Sequence, residues 1–128
     1  MPRICFVTCL TWPDISASDR LAQEALERRR ASVVVRPWNA PDADFGGFDA
    51  VILRSNWDYH RAPDQFLTWL DTWEAGGARI WNPPALIRWN LAKRYLLELE
   101  AAGIPIVPTV ILDEAEPEAI AASMAGRG

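Results

Sequence analysis

An α/β fold is the class this sequence predicts: a mainly parallel, Rossmann-like sheet with helices on both faces. Three observations predict it. Short apolar runs alternate with segments whose apolar residues recur at helical spacing. The clearest run, Ile4-Cys5-Phe6-Val7-Thr8-Cys9-Leu10, is apolar almost throughout, as suits a strand covered on both faces. Proline, glycine or a capping residue punctuates nearly every junction.

Ile4 to Leu10 is the first strand and Thr11 to Ala17 a loop. Ser16-Ala17-Ser18-Asp19 has the form of a capping box and starts a helix. That helix carries Leu21, Ala22, Ala25 and Leu26 on one face and ends near Ala31. Arg28-Arg29-Arg30 falls at its end, where cations favour the negative pole of the helix dipole. Ser32 to Arg36 is the second strand, strongly β-branched. Pro37 to Phe48 is a turn-rich connection, and Asp49 to Arg54 the third strand.

Ser55-Asn56-Trp57-Asp58-Tyr59-His60 reads as a polar-aromatic loop. Pro63 opens the next helix at its first position, where a missing N–H costs nothing. Phe66, Trp69, Leu70 and Trp73 face the core from it, and Gly76-Gly77 closes it. Ala78 to Trp81 is a short strand. A long helix over about Ala85 to Ala102 follows Asn82-Pro83-Pro84, capped by Gly103 and stopped by Pro105. Ile106 to Leu112 reads as a further strand, and Pro117 opens a last helix that runs to Gly126-Arg127-Gly128. The domain boundary falls near Asn82-Pro83-Pro84, giving residues 1–82 as one α/β domain and 83–128 as the beginning of another. Trp38 and Trp81 are expected to pack at strand ends.

The 128 residues suit one compact domain or one plus part of another. Half the residues are hydrophobic and 23% charged, an ordinary soluble composition. No apolar stretch reaches the ~18 residues of a membrane span. The short apolar run after Met1 leads into Trp12-Pro13-Asp14 rather than a small-residue cleavage site. No membrane partner and a cytoplasmic location are therefore expected. A net charge of −4 argues against a nucleic-acid surface. Cys5 and Cys9, four strand steps and so roughly 13 Å apart, lie beyond the ~7 Å of a disulfide and read as small buried residues.

Ligands of open parallel sheets bind beyond the carboxyl ends of the strands. Thr11-Trp12-Pro13-Asp14 and Arg54-Ser55-Asn56-Trp57-Asp58-Tyr59-His60 leave the first and third strands there, so they would share one rim. Arg54 suits bidentate capture of a carboxylate; Asp14 or Asp58 suits an ammonium. Trp12, Trp57 and Tyr59 supply apolar walls with polar handles. Each residue also has a structural reading: Asp14 and Asp58 as turn or cap residues, Trp57 as core, Arg54 as half of a local salt bridge. One histidine, His60, rules out a multi-histidine metal site. Neither a P-loop, a G-x-G-x-x-G nor a G-x-S-x-G motif occurs. Lys93 taken alone is a solvated lysine on an amphipathic helix.

Arg79-Ile80-Trp81-Asn82-Pro83-Pro84, Arg88 to Leu96 around Lys93, and Gly103-Ile104-Pro105-Ile106-Val107-Pro108-Thr109 form a block that resembles the ATP-grasp superfamily. The block looks like the crossing from the pre-ATP-grasp domain into the first lobe of the ATP-grasp domain. Thr11 to Asp14, Ser18 to Leu21, Arg36-Pro37-Trp38 and Leu53 to His60 resemble a bacterial branch described as similar to prokaryotic glutathione synthetase, which includes a cyclo-ligase of cycloserine biosynthesis. The resemblance implies an ATP- and Mg²⁺-dependent ligase joining a carboxylate to an amine through an acylphosphate. By it, Lys93 would contact the ATP phosphates. Trp12, Asp14, Arg54, Ser55, Trp57, Asp58 and Tyr59 would lie on the side of a small, amino-acid-like substrate. The family's second nucleotide lysine, glycine-rich loop and metal ligands lie further along than Gly128, so this chain alone is expected not to catalyse ligation. The alternative is a non-catalytic α/β module that binds a small ligand or dimerises through an exposed strand edge.

Overall fold

The structure, a computed structural model, describes residues 1–112 and 116–125. Four strands form one parallel sheet in the order β2-β1-β3-β4: β1 Arg3–Thr8, β2 Ser32–Pro37, β3 Ala50–Ser55 and β4 Ile80–Trp81. The helices are α1 Ala17–Arg28, α2 Pro63–Ala75, α3 Pro84–Leu91, α4 Tyr95–Ala101 and α5 Pro117–Ala125, with a short 3₁₀ helix at Trp57–Arg61. The chain divides into two compact units, Met1–Arg88 and Trp89–Gly128.

In the first unit, β1–α1–β2 steps to one side of β1 and β3–α2–β4 to the other. Right-handed crossovers then place α1 and α2 on opposite faces of the sheet. β1 is central, and its residues Cys5 to Thr8 are all buried. Phe45, Phe48 and Trp38 from the β2–β3 connection join Phe66, Trp69 and Leu70 of α2 in the buried core. Phe66 is its aromatic hub, packing on Trp38, Tyr59 and Trp69 with ring centroids 5.3, 5.4 and 5.4 Å away. Such pairs add to the area they bury. Cys5 and Cys9 are free and buried; burial pushes the Cys5 thiol up to about 12 against a smaller opposite pull from Arg36.

Local signals hold where they are strong. Ser16 caps α1 by accepting the Asp19 N–H at 3.2 Å. After α1, Arg30 turns the chain with φ 62°, a position glycine more often fills. Leu21, expected on the buried face of α1, points to solvent instead. Its neighbours Ala22, Ala25 and Leu26 are half-buried, so the face is shifted by part of a turn. Trp81 also departs from expectation: β4 is two residues long at the sheet edge, and the ring is exposed.

The larger corrections lie elsewhere. The loop expected over Ser55 to His60 contains the 3₁₀ helix, closed by Ala62 N–H donating to the Tyr59 carbonyl at 3.1 Å. The continuous helix expected over Ala85 to Ala102 is two helices, interrupted at Ala92-Lys93-Arg94. Lys93 therefore sits in a turn rather than on a helix. The strand expected over Ile106 to Leu112 does not form. A lone strand has no partner for its backbone groups, and no described residue of the second unit is buried. The expected end of the last helix at Gly126 to Gly128 lies outside the described residues. Among the described residues no helix is long and apolar enough to cross a membrane.

Candidate functional site at the carboxyl ends of β1 and β3

The loops after β1, β2 and β3 meet at one buried carboxylate. Asp58 accepts from the Trp38 indole N–H at 2.8 Å, from the Asn39 amide at 3.2 Å and from the Thr11 hydroxyl at 3.1 Å. Asn39 in turn accepts the Leu10 N–H at 2.8 Å. Beneath, the Thr8 hydroxyl donates to the Pro13 carbonyl and the Cys9 thiol to the Ser55 carbonyl. The 3₁₀ helix explains the placement, because its tight turn drives Asp58 inward while its neighbours Trp57 and His60 stay exposed.

Trp12 and Trp57 stand on this rim edge to face, centroids 5.8 Å apart, and remain 43% and 49% exposed. Two large indoles left half in water mark a binding surface more readily than a core. The Arg61 guanidinium carbon lies 6.0 Å from the centre of Trp12. Tyr59 is half-buried against Phe66 and His60.

Arg54 and Ser55, at the end of β3, face Asp19 in the first turn of α1. Arg54 Nε and Nη2 donate to Asp19 Oδ1 at 2.7 and 2.5 Å, and Ser55 Oγ donates to Oδ2 at 2.9 Å. Asp19 is 3% exposed. Burial pushes its pKa up, but hydrogen bonds from Arg54, Ser55 and Ser16, with the Arg54 charge, outweigh that and hold it below the usual value. A depressed folded-state pKa contributes stability above the unfolded value of ~3.9, and the contribution is lost as pH falls through the folded value. The stability gap between the native protein and Asp19→Asn should therefore be widest above pH ~4 and narrow below it, as read by urea unfolding across pH 2–6. A gap independent of pH would contradict this.

The structure thus brings Trp12, Arg54, Ser55, Trp57, Asp58 and Tyr59 to one end of the sheet. Asp14 pairs with Arg20 at the surface, an exposed pair worth little. Lys93 belongs to the second unit, where its Nζ lies 5.7 Å from the centre of the Tyr95 ring. Trp89, in the same unit, donates to Glu98 at 2.7 Å and packs on Tyr95. The sequence does not single out Thr11, Asp19, Trp38 or Asn39 as site residues. An acid in the first turn of a helix that follows a central strand is a signal for Asp19, but it reads equally as part of a capping box. The structure also shows an open cleft of ≈ 350 Å³ between α1 and the sheet, lined by Phe6, Ala22, Ala25, Leu26, Arg29, Ile52 and Arg54. Among the described residues, no group of three or more His, Cys, Asp or Glu side chains could hold a metal ion.

The fold defines the class: an open, all-parallel α/β sheet, in which ligands bind beyond the carboxyl ends of the strands where this rim stands. Residues 4–82 match the family described as D-cycloserine synthetase DcsG, N-terminal domain, and the chain belongs to that family. Over 75 residues it is 35% identical to "Cycloserine biosynthesis protein DcsG" of Streptomyces lavendulae, a match covering 59% of this chain and 25% of that protein. It is also similar to a solved structure, "Crystal structure of D-cycloserine synthetase DcsG", with 27% identity and a TM-score of 0.79. That match covers 98% of this chain and 42% of the solved one. The chain therefore spans less than half the length of each of these relatives.

Proposed function

We propose that this chain supplies the substrate-binding N-terminal part of an ATP-dependent carboxylate–amine ligase of the ATP-grasp superfamily. One observation carries the reading: the likeness to D-cycloserine synthetase runs past the family domain at residue 82 and takes in 98% of the chain. The shared stretch thus includes the Lys93 segment as well as the rim. When bound, ATP with Mg²⁺ supplies the phosphoryl group that turns the substrate carboxylate into an acylphosphate, from which an amine displaces phosphate. Among the described residues no group of three or more His, Cys, Asp or Glu side chains fits a metal ion; in this reading the metal ligands come from the part of the relatives that this chain does not span.

In this reading Arg54 binds a carboxylate of a small, amino-acid-like substrate. Trp12, Trp57 and Tyr59 wall the site and limit its contact with water. Asp14, exposed beside Arg20, meets a substrate ammonium. Ser55 and Asp58 serve the geometry: both are buried, and Asp58 already accepts from three protein donors. Lys93, exposed in its turn, carries positive charge to the phosphates, which need cations and donors at close range.

The test joins this chain to the part of the solved relative that it does not span and measures ATP–Mg²⁺ affinity by calorimetry. Lys93→Ala should weaken binding about 10-fold, near 1.4 kcal/mol. Equal affinity would remove Lys93 from the site. A second reading, a ligand-binding module without catalysis, is favoured by the rim's being complete within the first unit. It expects the chain to bind an amino acid in the absence of nucleotide and the joined protein to turn over no ATP.

A further inference from the structure

The geometry points to Asp19 as the positioning residue that fixes which edge of Arg54 is offered to a ligand carboxylate. This inference rests on the reading of Arg54 given above. Two independent observations carry it.

The first is the backbone. Along β1 and β3 the register runs Val7↔Leu53 and then Thr8↔Ser55, so Arg54 is the extra residue of an irregularity in the ladder. Such a bulge re-aims a side chain at the end of a strand. Here it lets consecutive residues, Arg54 and Ser55, both turn to Asp19, which regular alternation would forbid.

The second is the pairing itself. A guanidinium has a side edge, Nε with Nη2, and an end edge, Nη1 with Nη2. Asp19 takes the side edge, and both of its donors reach the same oxygen. The other oxygen is anchored by Ser55, so the carboxylate cannot swing. Among the described residues nothing takes Nη1. The Arg54 side chain is 44% exposed while that of Asp19 is 4% exposed. Arg54 also lines the open cleft beside α1, so the edge that Asp19 leaves free is offered from a side chain already held. A planar carboxylate meets such an edge with two parallel hydrogen bonds. Because the long side chain is ordered before the ligand arrives, binding does not have to order it. A ligand without a carboxylate gains nothing from this arrangement. Asp19 is thus a determinant of carboxylate specificity without touching the ligand.

The experiment uses the full chain with two probes, D-serine and ethanolamine, which is serine without its carboxylate. Binding is followed by tryptophan emission, since Trp12 and Trp57 lie on the rim. The native protein should prefer D-serine by at least ~10-fold. Asp19→Asn, which keeps the shape of the side chain, should bring the ratio close to one while leaving ethanolamine affinity in place. Arg54→Lys should do the same, and adding Asp19→Asn to it should change the ratio no further. In the native protein the Arg54 Nε–H resonance should stay in place as D-serine saturates while Nη1 shifts; this reading needs no variant and stands if Asp19→Asn fails to fold. A retained preference in folded Asp19→Asn, an effect that persists in the Arg54→Lys background, or an Nε–H that moves with ligand would each overturn the role of Asp19 and leave Arg54 as the carboxylate binder. A native protein that does not prefer D-serine would overturn the reading of Arg54, and this inference with it.

Discussion

Asp58→Ala is expected to destabilise the first unit by about 3 kcal/mol. Three donors from the loops after β1 and β2 converge on this carboxylate, which the segment after β3 supplies. One of them, the Trp38 indole N–H, is buried and would lose its acceptor. Leaving a buried donor unpaired costs ~1–3 kcal/mol, and the alanine cavity adds to it. For a unit of this size the melting temperature should fall by roughly 15 °C. Asp58→Asn should cost less, because one oxygen still accepts. Urea unfolding of the three proteins checks the order. A loss under about 1 kcal/mol would mean that the loops hold together without their shared acceptor. The variant should also perturb ligand binding at the rim, since Trp57 and Thr11 flank the lost carboxylate.

Phe66→Ala should be at least as costly, about 4 kcal/mol. The ring is 1% exposed and contacts Trp38, Tyr59 and Trp69. Its removal opens a cavity among rigid aromatic neighbours that cannot collapse into it, and cavity cost rises with the volume left behind. Phe66→Leu should recover much of the loss, because volume matters more than aromaticity at a hub of this kind. Denaturant midpoints at constant slope measure both. Near-equal stability of the alanine and native proteins would show that α2 is not the element that closes the core.

Much of this architecture was legible in the residues. The β1, β2 and β3 runs, the Ser16 cap and Pro63 each carry a local signal, and each element formed within a residue or two of its expected place. The meeting of the Thr11–Asp14 loop with the segment after β3 followed from strand order alone. What sequence could not give was the inward turn of Asp58, because a 3₁₀ helix in a Trp-Asp-Tyr-His segment looks like any polar loop. Nor could it choose between two readings of Asp19, capping-box acid and partner of Arg54; the second depends on a bulge visible only in the register. Lys93 shows the opposite failure. Neither glycine nor proline interrupts Ala85 to Ala102, yet the helix stops between Leu91 and Tyr95. The Ile106–Leu112 run has strand composition but no neighbour, and composition does not supply one.

A chain that provides the substrate side of a ligase, as proposed, should control turnover. The chain, joined to the part of the solved relative that it does not span, would be assayed for phosphate release from ATP–Mg²⁺ with and without D-serine. Release should rise with the amino acid and fall about 100-fold in Arg54→Ala, near 2.7 kcal/mol of lost transition-state stabilisation. Phosphate release that ignores both the amino acid and Arg54 would contradict the proposed function.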